Sequence, residues 1–411
     1  QVAGDTVRTT LAYRTSGGDT LVAAMPESGA AACASVGGFD TLYGRMDLCR
    51  TTSIELSAPV VAPSGALDVS GLAAGERREL EQAVTADTAA LELTAQDTYF
   101  GGKQLARAAN LLTLAEGLDM GPTAERIRDQ LVPLLERWAE PAGCTTRATQ
   151  CFVYDPTLRG MVGLENSFGS EEFNDHQFHY GYFLYAAGVL GKDDPELVAR
   201  VAPVIDLLAA DIGSVRQTSE FPRHRAFDAF EGHSWASGFS PFGDGNNQES
   251  SSESVTAYNG LALWAQVRGQ ADLQEQAVAM LSREAASALR YWTQPQLAGF
   301  RGFGSEILSI NWGGKRDYAT WFSAEPSAML GIQLIPMSPV AGYLRGDPGR
   351  IRSSVAEAAP AGFDVTFGDY LLMYLALADK DEALAQARDL PDSRIDDGNT
   401  RAYMLAWILT R

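Results

Sequence analysis

The chain has 411 residues, 45% of them hydrophobic and 20% charged, with a formal net charge of −20. This composition gives a globular protein material for a large core. The acidic balance excludes nucleic acid as a partner, because a phosphate backbone needs a basic surface, and the apolar runs break too early to span a membrane.

Residues 1–75 read as a small β-containing segment packed on the main body. Runs such as Thr20-Leu21-Val22-Ala23-Ala24-Met25 alternate with Gly, Ser and Pro, and Pro59, Pro63 and Gly65 interrupt the chain before Leu72. The four cysteines form two local pairs, Cys33 with Cys49 and Cys144 with Cys151, without the Cys-x-x-Cys spacing of zinc or redox sites. Two short-range disulfides in a secreted, extracellular protein fit this pattern. Gln1 opens directly into a polar segment with no signal peptide, as a mature or trimmed chain does.

From residue 76 to 411 the texture is helical. Apolar spacing predicts helices over 77–97, 100–118, 122–139, 175–190, 195–211, 247–268, 271–292, 320–333, 349–358, 367–379, 380–389 and 398–410. In the third, Leu131, Leu134, Leu135 and Trp138 form one stripe, and Pro122 stands where a helix start tolerates it. Helices in consecutive hairpins make either a superhelical stack or a closed toroid. No fixed-period self-similarity marks a solenoid, and the long segments 154–174, 213–246 and 294–319 suit loops that build a groove at one end of a toroid. A mainly α fold is expected, and a monomer, since no heptad or apolar stripe calls for a partner subunit.

All four histidines lie between His176 and His233. They share that region with Asn174-Asp175-His176-Gln177-Phe178-His179-Tyr180 and Asn246-Asn247-Gln248-Glu249-Ser250-Ser251-Ser252-Glu253. Such a mixture of imidazoles, amides, carboxylates and aromatics suits binding of hydroxyl-rich molecules and proton transfer to them. Asn174, His176, His179, Tyr180, His233, Asn247 and Gln248 are candidate hydroxyl partners. Trp235, in Gly232-His233-Ser234-Trp235-Ala236-Ser237-Gly238, is either a stacking platform for a sugar ring or a buried indole with its N–H satisfied. Trp312 and Trp321 are weaker candidates of the same kind.

Within a helix over 247–268, Glu249 and Glu253 stand on one face about one turn apart. Glycosidic hydrolysis needs paired carboxylates, but two on one helical face sit too close to flank a sugar ring. Asp175 is the natural carboxylate opposite them. The bland alternatives are a solvated helix start for the two glutamates and an N-cap for Asp175. The helix-poor triplet Ser250-Ser251-Ser252 weighs against the first. His176 and His179, at three-residue spacing and without a Glu after the first, lack the pattern of a zinc helix, so no metal is expected. No nucleophile elbow, dinucleotide fingerprint or phosphate loop occurs, and no cofactor is expected.

Three blocks carry a resemblance: Asn174-Asp175-His176-Gln177-Phe178-His179-Tyr180-Gly181-Tyr182, Gly232-His233-Ser234-Trp235-Ala236 and Asp244-Gly245-Asn246-Asn247-Gln248-Glu249-Ser250-Ser251-Ser252-Glu253. In this order they resemble the signature blocks of glycoside hydrolase family 81, the endo-β-1,3-glucanases or laminarinases. The match is dense from Tyr154 to Trp264 and thinner from Phe100-Gly101-Gly102-Lys103 to Pro336. It implies an (α/α)6 barrel, a β-1,3-glucan substrate and inversion at the anomeric carbon. By matched position, Asp175 is then the general acid and Glu249 the general base, with Glu253 supporting Glu249. His179 and His233 line the subsites, with Trp235 near the sugar.

Two departures stand against a full transfer. Gln177 occupies a place where the family usually shows histidine, and the family's large amino-terminal β-sandwich has no counterpart in the chain. The alternatives are an inverting hydrolase of another neutral polysaccharide and a glycan-binding protein without turnover.

Overall fold

The computed structural model describes residues 1–411 except 27, 31, 32 and 298. Those positions of the 1–75 segment and of the 294–319 loop therefore lie outside the described residues.

The chain opens with six strands: β1 (Val2–Ala3), β2 (Thr6–Ala12), β3 (Thr20–Ala23), β4 (Ser35–Thr41), β5 (Gly44–Thr51) and β6 (Ser53–Pro59). They form two antiparallel three-stranded sheets, ordered β1-β2-β6 and β3-β5-β4. The Cys33–Cys49 disulfide pins the second sheet. Met25 and Met46 pack with Tyr291 and Trp292, the Tyr43 hydroxyl donates to the Trp312 carbonyl at 2.7 Å, and the Arg316 guanidinium lies 5.1 Å over the Tyr43 ring. These contacts lay the sheets against the helical body.

Twelve α-helices follow among the described residues: α1 (Ala74–Ala89), α2 (Thr98–Gly117), α3 (Gly121–Trp138), α4 (His176–Gly191), α5 (Pro195–Gly213), α6 (Ser251–Val267), α7 (Ala271–Ala288), α8 (Pro326–Gly331), α9 (Pro348–Ala358), α10 (Gly368–Leu375), α11 (Lys380–Asp389) and α12 (Arg401–Leu409). Aspartate or threonine caps several of them. Asp97 accepts from the Tyr99 and Phe100 amides, Asp194 from Leu197 and Thr400 from Tyr403, while Pro122 and Pro195 occupy the first turns of α3 and α5.

Even-numbered helices form an inner ring, in which α2 meets α4, α4 meets α6, α8 meets α10, and α10 meets α12, which returns to α2. Ser250 and Ser252 link the start of α6 to the carbonyls of Ile332 and Ile335 just past α8. Odd-numbered helices lie outside. Burial follows: α4 is buried on almost every side, whereas α11 buries only Ala383 and Ala387. The result is the expected (α/α)6 toroid.

Glycine sets the closest approach in the ring. A Cβ on Gly181 of α4 would fall 2.4 Å from Ala257 Cα of α6, and one on Gly188 would fall 2.7 Å from Leu263 Cβ. Both positions advance together, so α4 and α6 run parallel and open at the same end of the toroid. Thr98, at the start of α2, lies 2.8 Å from His179 on the first turn of α4, which puts a third helix head beside them.

Several predicted boundaries shift. The helix predicted over 77–97 stops at Ala89, and Asp97 caps the next one. That predicted over 320–333 shortens to Pro326–Gly331, because the Thr320 hydroxyl accepts from the Ser323 amide and closes a turn. The helix expected from 247 starts at Ser251. Asn247–Gln248 is a short strand paired with Ile310–Trp312, so the chain is still extended there. Each long predicted loop carries short strands as well: Phe152–Asp155 with Gly160–Gly163, Phe227–Asp228 with His233–Ser234, and Ile310–Trp312 with Arg316–Asp317. A second disulfide, Cys144–Cys151, ties the turn after α3.

Candidate active site

Asp175 stands at the N-cap position of α4 but makes no capping bond with its side chain. Its backbone is left-handed, with φ 58°, a conformation that aspartate tolerates better than most residues. The geometry is held from outside: the Asp175 amide donates to the Ala236 carbonyl at 2.9 Å, while its carbonyl accepts from the Phe178 and His179 amides. The carboxyl is therefore fixed at the helix head and left free. Burial first, then the charges of Glu253 and Glu249, push its acidity well above the ordinary aspartate range.

Glu249 is not on a helix. It occupies the bend between the Asn247–Gln248 strand and α6, so the expected pair of glutamates on one helical face is replaced by one glutamate before the helix and one inside it. The Trp321 amide donates to Glu249 Oε2 at 3.1 Å. Burial raises the Glu249 carboxyl to about 7, with the Trp321 contact opposing and the Glu253 charge adding to the rise.

Glu253 lies in the first turn of α6, 3% exposed. Tyr182 donates to its Oε1 at 2.6 Å and Ser250 to its Oε2 at 2.5 Å. Burial raises its carboxyl, while Ser250, Tyr182, the Lys103 charge and Tyr99 hold it down. Asp175, Glu249 and Glu253 thus sit within electrostatic reach of one another at the head of one close-packed helix pair.

The other predicted residues divide into two groups. His179, with Nδ1 2.8 Å from the Thr98 hydroxyl, and His233, with Nδ1 3.0 Å from the Ser234 carbonyl, each leave Nε2 without a partner among the described residues. Burial drives them down to about 3 and about 4, so both are neutral imidazoles. Asn174 accepts from the Gly238 amide at 2.8 Å, and Asn247 from the Trp321 indole at 3.1 Å. Trp235 is half-buried, 3.4 Å from Asp228 through its indole nitrogen.

Three residues expected at the substrate face the protein instead. Both ring nitrogens of His176 are taken, by Asp211 at 2.7 Å and the Ser170 carbonyl at 2.8 Å, and the ring stacks on Phe173. Tyr180 is buried and donates to the Met161 carbonyl. Gln248 donates to Ser234 and Ser254. Each points inward because residue types suited to sugar hydroxyls suit buried backbone carbonyls equally.

A cavity of 380 Å³ is lined by Gln177, Trp235, Asn246, Arg225 and Phe173, among others, and by none of Asp175, Glu249 and Glu253. Gln177 is buried there and donates to the Trp235 carbonyl at 3.1 Å. A hollow of 560 Å³ beside Asp206, Arg216 and Asp272 carries none of the residues above. Trp321, 57% exposed, covers Glu249 and leans on Trp312 and Phe242 with ring centroids 5.7 Å apart. In sequence it is only a weak candidate, since its contact to Glu249 spans 72 positions. Tyr99 and Lys103 behind Glu253 were missed as well. Among the described residues no group of three His, Cys, Asp or Glu side chains is placed to hold a metal ion, and no helix is long and apolar enough to cross a membrane.

A helical toroid gathering buried carboxyl groups at its inner helix heads is an arrangement suited to glycoside hydrolysis. Residues 72–409 match the model of the glycosyl hydrolase family 81 C-terminal domain, and the chain belongs to that family. It is 33% identical to a glucan endo-1,3-beta-D-glucosidase of Acetivibrio thermocellus over 76% of this chain and 41% of that protein. A protein of the same name from Thermobifida fusca is 30% identical, over 77% of this chain and 42% of the relative. One from Glycine max is 29% identical, over 84% and 54%. A solved family 81 structure from Clostridium thermocellum, a glutamate-to-alanine mutant, superposes with a TM-score of 0.89 at 28% identity, covering 98% of this chain and 58% of that one. The chain thus spans about two fifths of the length of the first two relatives.

Proposed function

We propose that the protein is an endo-acting hydrolase of β-1,3-glucan that inverts the anomeric carbon, with Asp175 as general acid and Glu249 as general base. The observation that carries this reading is the parallel α4–α6 pair, whose heads bring Asp175, Glu249 and Glu253 into one electrostatic cluster. The names of the relatives supply the substrate class. In this reading residues 76–411 are the catalytic barrel and 1–75 a small segment packed on it. The protein works as a monomer outside the cell, where its two disulfides persist.

Each group suits its role. A buried carboxyl among other carboxylates keeps its proton, and Asp175, pushed well above the ordinary aspartate range by burial and by Glu253 and Glu249, is ready to protonate the leaving oxygen. With Asp175 neutral, Glu249 meets less repulsion and ionises to take a proton from water. Glu253 supplies a third charge that holds both. His179 and His233, neutral, and the exposed Trp321 offer hydroxyl contacts and a ring platform at the cleft.

The test is product release from laminarin and curdlan by wild type, Asp175→Asn and Glu249→Gln. Wild type yields oligosaccharides, and each variant, folded, loses about 10²- to 10⁴-fold in rate. Proton NMR of the first products shows the α-anomer. A first-formed β-anomer sinks the inverting mechanism, and glucan untouched by wild type sinks the substrate.

A further inference from the structure

Lys103 lies inside α2 and is 4% exposed, a rare place for an ammonium group, which burial alone disfavours. Its Nζ is 2.7 Å from Asp396 Oδ1 and 5.5 Å from the centre of the Tyr99 ring. Asp396 belongs to the turn before α12. Its Oδ1 also accepts from the Gly398 amide at 2.8 Å and the Tyr370 hydroxyl at 3.2 Å, and its own amide donates to Asp369 at 3.1 Å. A methyl on Gly398 would lie 2.5 Å from Lys103 Cε, so this turn is moulded around the lysine stem.

Closing the ring does not require an interior ion pair. Arg388 of α11 already bonds Glu79 of α1 at 2.7 Å on the surface. The buried pair instead stands behind the catalytic cluster. Lys103 stands over the Tyr99 ring of its own helix, and that ring lies 6.1 Å from the ring of Tyr182 on α4. Tyr182 and Ser250 donate to Glu253, so the Lys103 charge bears on that carboxyl through this packed row. The Glu253 charge in turn reaches Asp175 and Glu249, while Asp396 and Asp397 bear on Lys103.

We propose that Lys103, clamped by Asp396, is a positioning residue of the reaction: it secures Glu253 as the standing negative charge beside Asp175 and Glu249. This rests on reading those two as acid and base. Without the lysine charge, burial neutralises Glu253, and Asp175 then gives up its proton more readily.

The experiment follows the Glu253 carboxyl directly, by ¹³C NMR of protein labelled at the glutamate carboxyl, with its signal identified by loss in Glu253→Gln. In Lys103→Met the titration midpoint of Glu253 rises by about one pH unit or more, and Lys103→Arg brings it back toward wild type. On laminarin the alkaline limb of the kcat profile moves to lower pH in Lys103→Met, with KM unchanged. If Lys103→Met fails to fold, Tyr182→Phe removes one donor from the same carboxylate and moves the midpoint the same way. A Glu253 midpoint unmoved in the folded variant overturns the inference. Laminarin left intact by wild type overturns the hydrolysis reading, and the midpoint, which needs no turnover, still decides the role of Lys103.

Discussion

At the scale of single residues, the carboxylates are tuned by where the chain puts them. Activity in the proposed mechanism requires Glu249 ionised and Asp175 protonated. The rate therefore rises as pH climbs through about 7, where Glu249 loses its proton, and falls once Asp175, held well above the ordinary aspartate range by burial and its acidic neighbours, ionises. Hydrolysis rates across the pH scale check this, and a profile flat through neutrality contradicts it. Glu284 gives a separate stability prediction. It is buried, accepts from the Ser234 amide at 3.2 Å and hydroxyl at 3.0 Å, and burial raises it from 4.5 to about 8. Because the folded value is raised, its contribution is full below about 4.5 and is lost as pH rises through about 8. Glu284→Gln, neutral throughout, gains melting temperature relative to wild type across that window, and thermal melts at both ends measure it.

At the scale of elements, the contact between α4 and α6 sets the spacing of the proposed catalytic groups. Gly181→Ala forces a methyl to within 2.5 Å of Ala257 Cβ, which costs about 1–3 kcal/mol and displaces Asp175 relative to Glu249. Melting and laminarin assays should both fall, whereas Gly121→Ala, with nothing within 4 Å of the added methyl, leaves both near wild type. Element positions were largely legible because caps and prolines are local signals: Pro122 and Pro195 opened helices where expected. The start of α6 was not, because Asn247 is held extended by Trp312 far along the chain. For the same reason Asp175, Glu249 and Glu253 stand out in sequence, while Trp321 is only a weak candidate there and Lys103 is none. Their meaning lies in partners that only the closed ring supplies.

At the scale of the whole molecule, a net charge of −20 surrounds a cleft proposed for a neutral polymer. Screening such a field leaves binding of an uncharged glucan unaffected. KM for laminarin should hold constant from low salt to about 0.5 M, where the Debye length has shrunk severalfold. A steep salt dependence in the kinetics points instead to a charged substrate.

The Lys103–Asp396 clamp also sets an order of events during synthesis. The segments that carry Asp175, Glu249 and Glu253 meet through the glycines of α4 and leave the ribosome well before the turn bearing Asp396. Until then a nascent chain holds three acids together with an unanswered lysine, and a ring that has not closed. In the proposed reading the site is complete only once α12 docks beside α2 and Lys103 receives its counterion.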